Sequence, residues 1–243
     1  MVYLMVEQQF AKYPWCQRTI RGIFEEVRKR RIHVQEVSEL PGGAEERSCV
    51  LLVGASEEWI NQTARGAGSL GLHPIVLSNR ETNSSGLSVS SVKMDIHSSM
   101  ELAVDYLRTL DRERLALFGV NPSASSDLWR ARRFGELTGR EGDVFFLGSS
   151  VNEIFDQFYE KIHRYDGVIC ASDYAAVSLV GRLREKNYAI PEKLYVVGYG
   201  DMFLSRLFRP SITSISDDYE SFGKAALAIC AMMEKNDAFS VVS

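Results

Sequence analysis

The polar groups of this 243-residue chain that could hold a ligand gather where apolar runs end. Gly167-Val-Ile-Cys170 runs into Ala-Ser172-Asp173, Leu194-Tyr-Val-Val-Gly198 into Tyr-Gly200-Asp201, and Ile212-Thr-Ser-Ile215 into Ser-Asp217-Asp218-Tyr219. Each run reads as a buried strand, and an open α/β sheet takes its ligands beyond the carboxyl ends of its strands. Ser172, Asp173, Asp201 and Asp217 are therefore candidate ligand contacts. Arg130 is the favoured cation. It lies in Ser126-Asp-Leu-Trp-Arg130-Ala-Arg-Arg133, on a helix after the apolar run 115–119. A guanidinium there can fork two hydrogen bonds to a carboxylate or to vicinal hydroxyls. Ser126, one turn earlier, shares its face. Near the start, Tyr13-Pro14-Trp15 stands at a loop-to-helix junction. An aromatic at that place either stacks on a ligand ring or staples the helix to the core, and the sequence leaves both open. Tyr219, just past the last short strand, is the third ring expected to close over a ligand.

Other patterns lack the context their chemistry needs. Gly66-Ala-Gly68-Ser-Leu-Gly71 matches G-x-G-x-x-G, but it ends a helix and precedes a strand. A dinucleotide fingerprint needs the reverse order, so Gly71 reads as a helix cap. His33, His73, His97 and His163 are isolated, without metal-ligand spacing. No G-x-S-x-G elbow and no Walker-type loop occurs. Asp217 and Asp218 are adjacent, which suits a helix N-cap and first-turn charge better than acid–base work across a substrate. No catalytic residue, metal or cofactor is expected, and the chain is not expected to be an enzyme.

The elements around these residues follow from periodicity. Short apolar runs are predicted as strands at 2–6, 33–37, 49–53, 74–77, 91–94, 115–119, 144–147, 167–170, 194–198 and 212–215. Between them lie helical stripes such as Ile20, Ile23, Phe24 and Val27, or Met100, Ala103, Val104 and Leu107. Strands alternating with helices imply parallel sheets with right-handed crossovers. The alternation restarts near Arg114, which favours two α/β subdomains with a ligand cleft between them. The chain is 45% hydrophobic and 25% charged, an ordinary globular balance. Its net charge of −4 gives no electrostatic reason to expect nucleic-acid binding by this segment. Cys16, Cys49, Cys170 and Cys230 are spread without a Cys-x-x-Cys pair, as expected of free thiols in a reducing compartment. No run approaches the roughly 18 apolar residues of a membrane span, and the start has no signal-peptide pattern. A cytoplasmic location without membrane association is the expectation.

Several blocks, taken in order, resemble the effector-binding domain of lactose-repressor-type regulators. Ala171-Ser172-Asp173, then Ile190-Pro191-Glu192 through Val196-Val197-Gly198-Tyr199-Gly200-Asp201, then Arg209-Pro210-Ser-Ile-Thr213-Ser-Ile215 carry most of the likeness. Tyr13 to Ile23 is similar to the family's segment after the first strand. Pro74 to Arg80 matches another block, with Asn79 where an aspartate is usual, and Asn79 joins the candidate contacts. Asp111 stands where the pattern has glycine, and Arg133 replaces a second glycine. The resemblance implies a type I periplasmic-binding-protein-like fold: two Rossmann-like subdomains with parallel sheets and a ligand cleft. Their expected extents are 1–111 plus 217–235, and 112–216 plus 236–243, the last helix crossing back to the first. It also implies that Ser126 and Arg130 reach the effector. Gly200 stands where sugar-binding relatives have an accepting aspartate, and Ser172 replaces their asparagine. Both changes lead us to expect weaker selection for neutral hexoses and more room for an anionic or ring-bearing ligand.

The function implied is the ligand-sensing domain of a bacterial transcriptional regulator. A small-molecule effector, a sugar or other metabolite, would bias a homodimer between two DNA-binding arrangements. No DNA-binding motif precedes the first strand, so DNA is expected as a partner only through a domain absent from this chain. A periplasmic-type solute-binding protein shares the architecture and is the alternative, and an enzyme on a doubly wound sheet is a weaker one.

Overall fold

Residues 49–53 read Cys-Val-Leu-Leu-Val, and all five are buried. A strand covered on both faces needs such an unbroken apolar run, because in a parallel sheet flanked by helices neither side meets water. The computed structural model describes residues 1–45, 47–78, 87, 89–93, 95–148 and 151–235. The chain divides into two compact units, Met1–Met94 with Asp218–Ser243, and Asp95–Asp217.

The first unit holds β1 (Val2–Val6), α1 (Pro14–Arg30), β2 (Val34–Glu36), β3 (Cys49–Val53), α2 (Glu57–Ser69), β4 (His73–Ser78) and β5 (Ser90–Lys93). Its strands run parallel in the order β2-β1-β3-β4-β5. The second unit holds α3 (Ile96–Thr109), β6 (Leu115–Val120), α4 (Ser125–Thr138), β7 (Val144–Phe146), α5 (Val151–Glu160), β8 (Gly167–Cys170), α6 (Asp173–Glu185), β9 (Tyr195–Tyr199), α7 (Phe203–Leu207) and β10 (Thr213–Ile215). Its parallel order is β10-β9-β8-β6-β7. Read from the other edge, this repeats the first order. In each sheet the strand order reverses beside the first strand, between β1 and β3 and between β6 and β8. The last helix, α8 (Tyr219–Lys235), belongs to the first unit.

Alternation along each strand sorts side chains onto two faces. Val2, Leu4, Leu51, Val53, Ile75 and Leu77 pack on one side with residues of α1 and α8. Tyr3, Val50, Leu52 and Val76 pack on the other with Ile60, Ala64 and Ala67 of α2. Each fully buried aliphatic side chain contributes about 1.5–3 kcal/mol. Helices α1 and α8 meet backbone to backbone. A Cβ on Gly22 would lie 2.1 Å from the carbonyl oxygen of Glu220, and one on Gly223 would lie 2.3 Å from the amide nitrogen of Ile23.

Helix α3 departs from the expected extents. The expected extents put it with the first subdomain, within 1–111, yet its stripe Met100, Ala103, Val104 and Leu107 packs on Leu115, Leu117, Phe134 and Ile169 of the second unit. Asp217 likewise lies in the second unit. The segment 236–243 falls outside the described residues. Several strand ends shift by a residue, as β2 and β10 show. Gly71, with φ of +72°, follows the end of α2, the place of a helix-capping glycine. Asp111 takes the left-handed turn (φ +57°) that a glycine would adopt more easily.

Candidate functional site

Helix α4 begins five residues after β6, and this places Arg130 over the carboxyl end of the second sheet. The guanidinium is buried. Nη1 lies 2.7 Å from Asp127 Oδ1, Nη2 lies 3.6 Å from Asp217 Oδ2, and the plane stacks 4.0 Å above the Tyr199 ring. Burial alone would push Arg130 toward neutrality, but Tyr199, Asp217 and Asp127 more than offset it and hold the cation. Burial raises the Tyr199 hydroxyl to about 12, so it stays a donor, and it donates to Ser99 Oγ. Asp127 also accepts the Asn121 amide at 3.0 Å, tying the loop after β6 to the helix. The chemistry is hydrogen bonding around a fixed charge. Ser126 is half-buried in the first turn of the same helix.

The other strand-end candidates divide by role. Ser172 caps α6, its hydroxyl accepting the Ala175 amide at 3.2 Å. Asp173 was expected to meet a ligand, but the structure seals it. It is fully buried, accepting the Met202 amide and the Ser214 hydroxyl, each at 2.6 Å. Gly198 makes room for it, since a Cβ there would stand 2.2 Å from Asp173 Oδ1. Asp173 is thus a bracket between the ends of β8, β9 and β10. Asp201 follows Gly200 in a left-handed conformation (φ +47°), and Arg206 grips both of its oxygens. The adjacent carboxylates Asp217 and Asp218 separate: Asp217 is buried against Arg130, while Asp218 accepts the Ser221 amide at 3.0 Å and caps α8.

In the first unit, Trp15 is buried in the core rather than presented to solvent, so the staple reading describes its place. Its ring sits 6.0 Å from Phe10 and 6.5 Å from Tyr219, while exposed Tyr13 packs edge-on to Phe10 at 5.4 Å. Arg18 lies 5.4 Å over the Tyr219 ring and pairs with both oxygens of Glu220, at 3.0 Å and 2.9 Å. Burial would raise the Glu220 carboxyl, but Arg18, a backbone amide and Arg21 together hold it below its ordinary value. The structure therefore brings Trp15 and Tyr219 together, with Tyr13 beside their partner Phe10. Asn79 lies outside the described residues.

Sequence reasoning missed three groups. Asp127 had a usable signal, the (i, i+3) spacing to Arg130. Tyr199 had none, because only the register of β9 turns its ring under Arg130. Glu7, directly after β1, is buried and accepts the amides of Ala55 and Ser56 at 2.9 Å and 3.0 Å, as well as Gln9 and the Ser56 hydroxyl. Burial would raise its pKa, but these donors hold it below the ordinary carboxylate range. It joins β1 to β3 where the strand order reverses. Among the described residues no group of three or more His, Cys, Asp and Glu stands ready to hold a metal, and no helix is long and apolar enough to cross a membrane.

Two five-stranded parallel sheets of one strand order, each covered by helices, define the type I periplasmic-binding-protein class of α/β fold. The chain belongs to the periplasmic binding protein-like domain family, whose model matches residues 104–241. It is 32% identical over 90 residues to the HTH-type transcriptional regulator RegA of Clostridium saccharobutylicum, covering 37% of this chain and 24% of that protein. It is 36% identical over 74 residues to the HTH-type transcriptional repressor PurR of Vibrio atlanticus (strain LGP32), covering 30% and 22%. The matched segment thus spans less than a quarter of these relatives. Among solved structures, the transcriptional regulator CelR in complex with cellobiose matches with a TM-score of 0.71 and 18% identity, over 99% of this chain and 80% of that one. The resemblance drawn from the 167–215 blocks holds.

Proposed function

We propose that this chain is the ligand-sensing domain of a transcriptional regulator, taking a small-molecule effector, a sugar or other metabolite, at the carboxyl ends of its strands. The observation that carries this reading is the fold match along 99% of the chain to a regulator solved with cellobiose, beside sequence matches to a regulator and a repressor. The second unit contributes Arg130, Ser126, Ser172 and Asp201, with Asp217 orienting Arg130. In the first unit the proposed contacts are Tyr13, Tyr219 and Asn79, with Trp15 held in the core. Asp173 acts through the loops it brackets. Arg130 is one cation between two carboxylates, Asp127 and Asp217, so the cluster offers an anion no excess of positive charge. This supports a neutral, hydroxyl-bearing ligand over the anionic one that Gly200 suggested. The same relatives support regulation over solute transport and over catalysis, with DNA engaged through a domain outside this chain.

The regulator acts in the cytoplasm as a homodimer, which lets two DNA-binding units read two half-sites. Tyr174, Phe203 and Leu207 are exposed apolar side chains on α6 and α7 that such a contact would cover. Light scattering at tens of micromolar should show a dimer, and a monomer would remove this part of the reading. The effector is sought by thermal shift with sugars, sugar phosphates, nucleosides and amino acids, because a ligand bound only by the folded state raises Tm. A saturable rise with a sugar or related metabolite is expected. Turnover of the stabilising compound, or no stabilisation across the panel, would sink the proposal.

A further inference from the structure

At the opposite end of the second sheet, where β7 begins, Thr138, Gly139, Arg140, Gly142, Asp143 and Arg164 line an open depression of about 590 Å³. Its centre is Asp143, buried although charged. Arg140 Nη1 reaches Asp143 Oδ2 at 3.1 Å, and Arg164 Nη2 approaches Oδ1 at 3.4 Å. The buried Tyr165 hydroxyl donates to the same Oδ1 at 2.8 Å. Burial, with Asp143 beside it, raises that hydroxyl to about 12, so the donor persists at any ordinary pH. One carboxylate thus organises two guanidinium groups and leaves an excess of positive charge at the mouth. Arg140 and Arg164 come from different segments and meet the two oxygens of one carboxylate, which holds the two guanidinium groups side by side.

The walls leave space for an occupant. Gly139 closes α4 in the left-handed region (φ +65°), and a Cβ on Gly139 or Gly142 would meet nothing within 4 Å. The Thr138 hydroxyl accepts the Arg140 amide at 3.2 Å, which fixes the chain entering the depression. Half of the Arg164 side chain and a third of the Arg140 side chain remain open to solvent, so both can turn donors outward. Paired guanidinium groups recognise tetrahedral oxyanions through charge-assisted, two-pronged hydrogen bonds. We infer that the depression between Arg140 and Arg164 is a second ligand site, specific for a phosphoryl group or free phosphate, at the amino-terminal pole of the second sheet. It is separate from the strand-end groups, and its failure would leave the sensing function untouched.

The test is calorimetric titration of the chain with sodium phosphate and with glycerol 3-phosphate, against sodium chloride at matched ionic strength. Saturable binding of phosphate at one site per chain is expected. Arg164→Gln and Arg140→Gln should each weaken it by about tenfold or more, as loss of one charge-assisted prong implies. Arg30→Gln, an arginine on α1 of the first unit paired with Glu26, should leave it unchanged. Tighter binding of the monoester assigns the site to a phosphorylated metabolite, and equal binding assigns it to the ion. Arg164→Lys keeps the charge but loses the fork, and should also weaken binding if Arg164→Gln does not fold. Heats that follow ionic strength alone, or an Arg164→Lys or Arg164→Gln chain that binds phosphate like the parent, would overturn the site.

Discussion

The carboxyl-end faces of the two sheets share one strand order and differ in almost everything they present. The first is aromatic: Phe10, Trp15 and Tyr219 pack ring to ring, and its buried carboxylate, Glu7, is satisfied by neighbouring amides and hydroxyls. The second is ionic: Arg130 is clasped by Asp127 and Asp217 and stacked on Tyr199. One topology thus supports two kinds of surface. Rings offer area that tolerates sliding, while a clasped guanidinium offers directed bonds at a fixed place.

Substitution can break this contrast, and the ionic half should suffer most. Arg130→Ala leaves Asp217 buried without its arginine and should cost about 3–5 kcal/mol of stability. It should also cost roughly 1.5–3 kcal/mol of effector binding. Urea unfolding and calorimetry measure the two, and a stability loss below about 1 kcal/mol would show that the clasp is decorative. Gly22→Ala should cost about 1–3 kcal/mol, because its methyl meets the Glu220 carbonyl and forces α1 from α8. An unchanged unfolding midpoint would mean that the two helices are not in backbone contact.

Glu7→Gln should cost about 1 kcal/mol at neutral pH, since a charged acceptor becomes a neutral one. The folded pKa of Glu7 is depressed, so its contribution is complete above the ordinary carboxyl value and fades as pH falls through the folded one. The Tm gap between parent and variant should therefore narrow below about pH 4. A gap independent of pH would assign the loss to packing instead. Tyr13→Ala should have the smallest effect on stability, within about 0.5 kcal/mol, because the ring is largely exposed. It should nevertheless weaken effector binding. Unchanged affinity would remove Tyr13 from the site.

Much of the architecture was legible before any coordinates. Runs such as Cys49–Val53 and Leu115–Val120 are too apolar for anything but central strands, and the helical stripes between them dictate parallel crossovers. The strand-end position of Arg130 and a helix cap within the Asp217–Asp218 pair also followed from local order, though which of the two caps did not. The domain extents were less legible. The stripe on α3 reads the same whichever sheet it covers, and only packing on Leu115 and Ile169 assigns it.

Among the candidate contacts, sequence determined which residue types stand at the strand ends, because strand length and the polar residues that follow are local properties. It could not separate a carboxylate that faces a ligand from one that faces the protein. Asp173 and Asp201 look alike in sequence. Yet Asp173 is sealed by an amide and a hydroxyl contributed from 29 and 41 residues away, and Asp201 is held by Arg206. Asp217 pairs with an arginine in a helix whose distance in sequence carries no hint of contact. Burial and charge pairing are properties of the assembled sheet, set by which strands lie side by side. Only the tertiary structure could decide them.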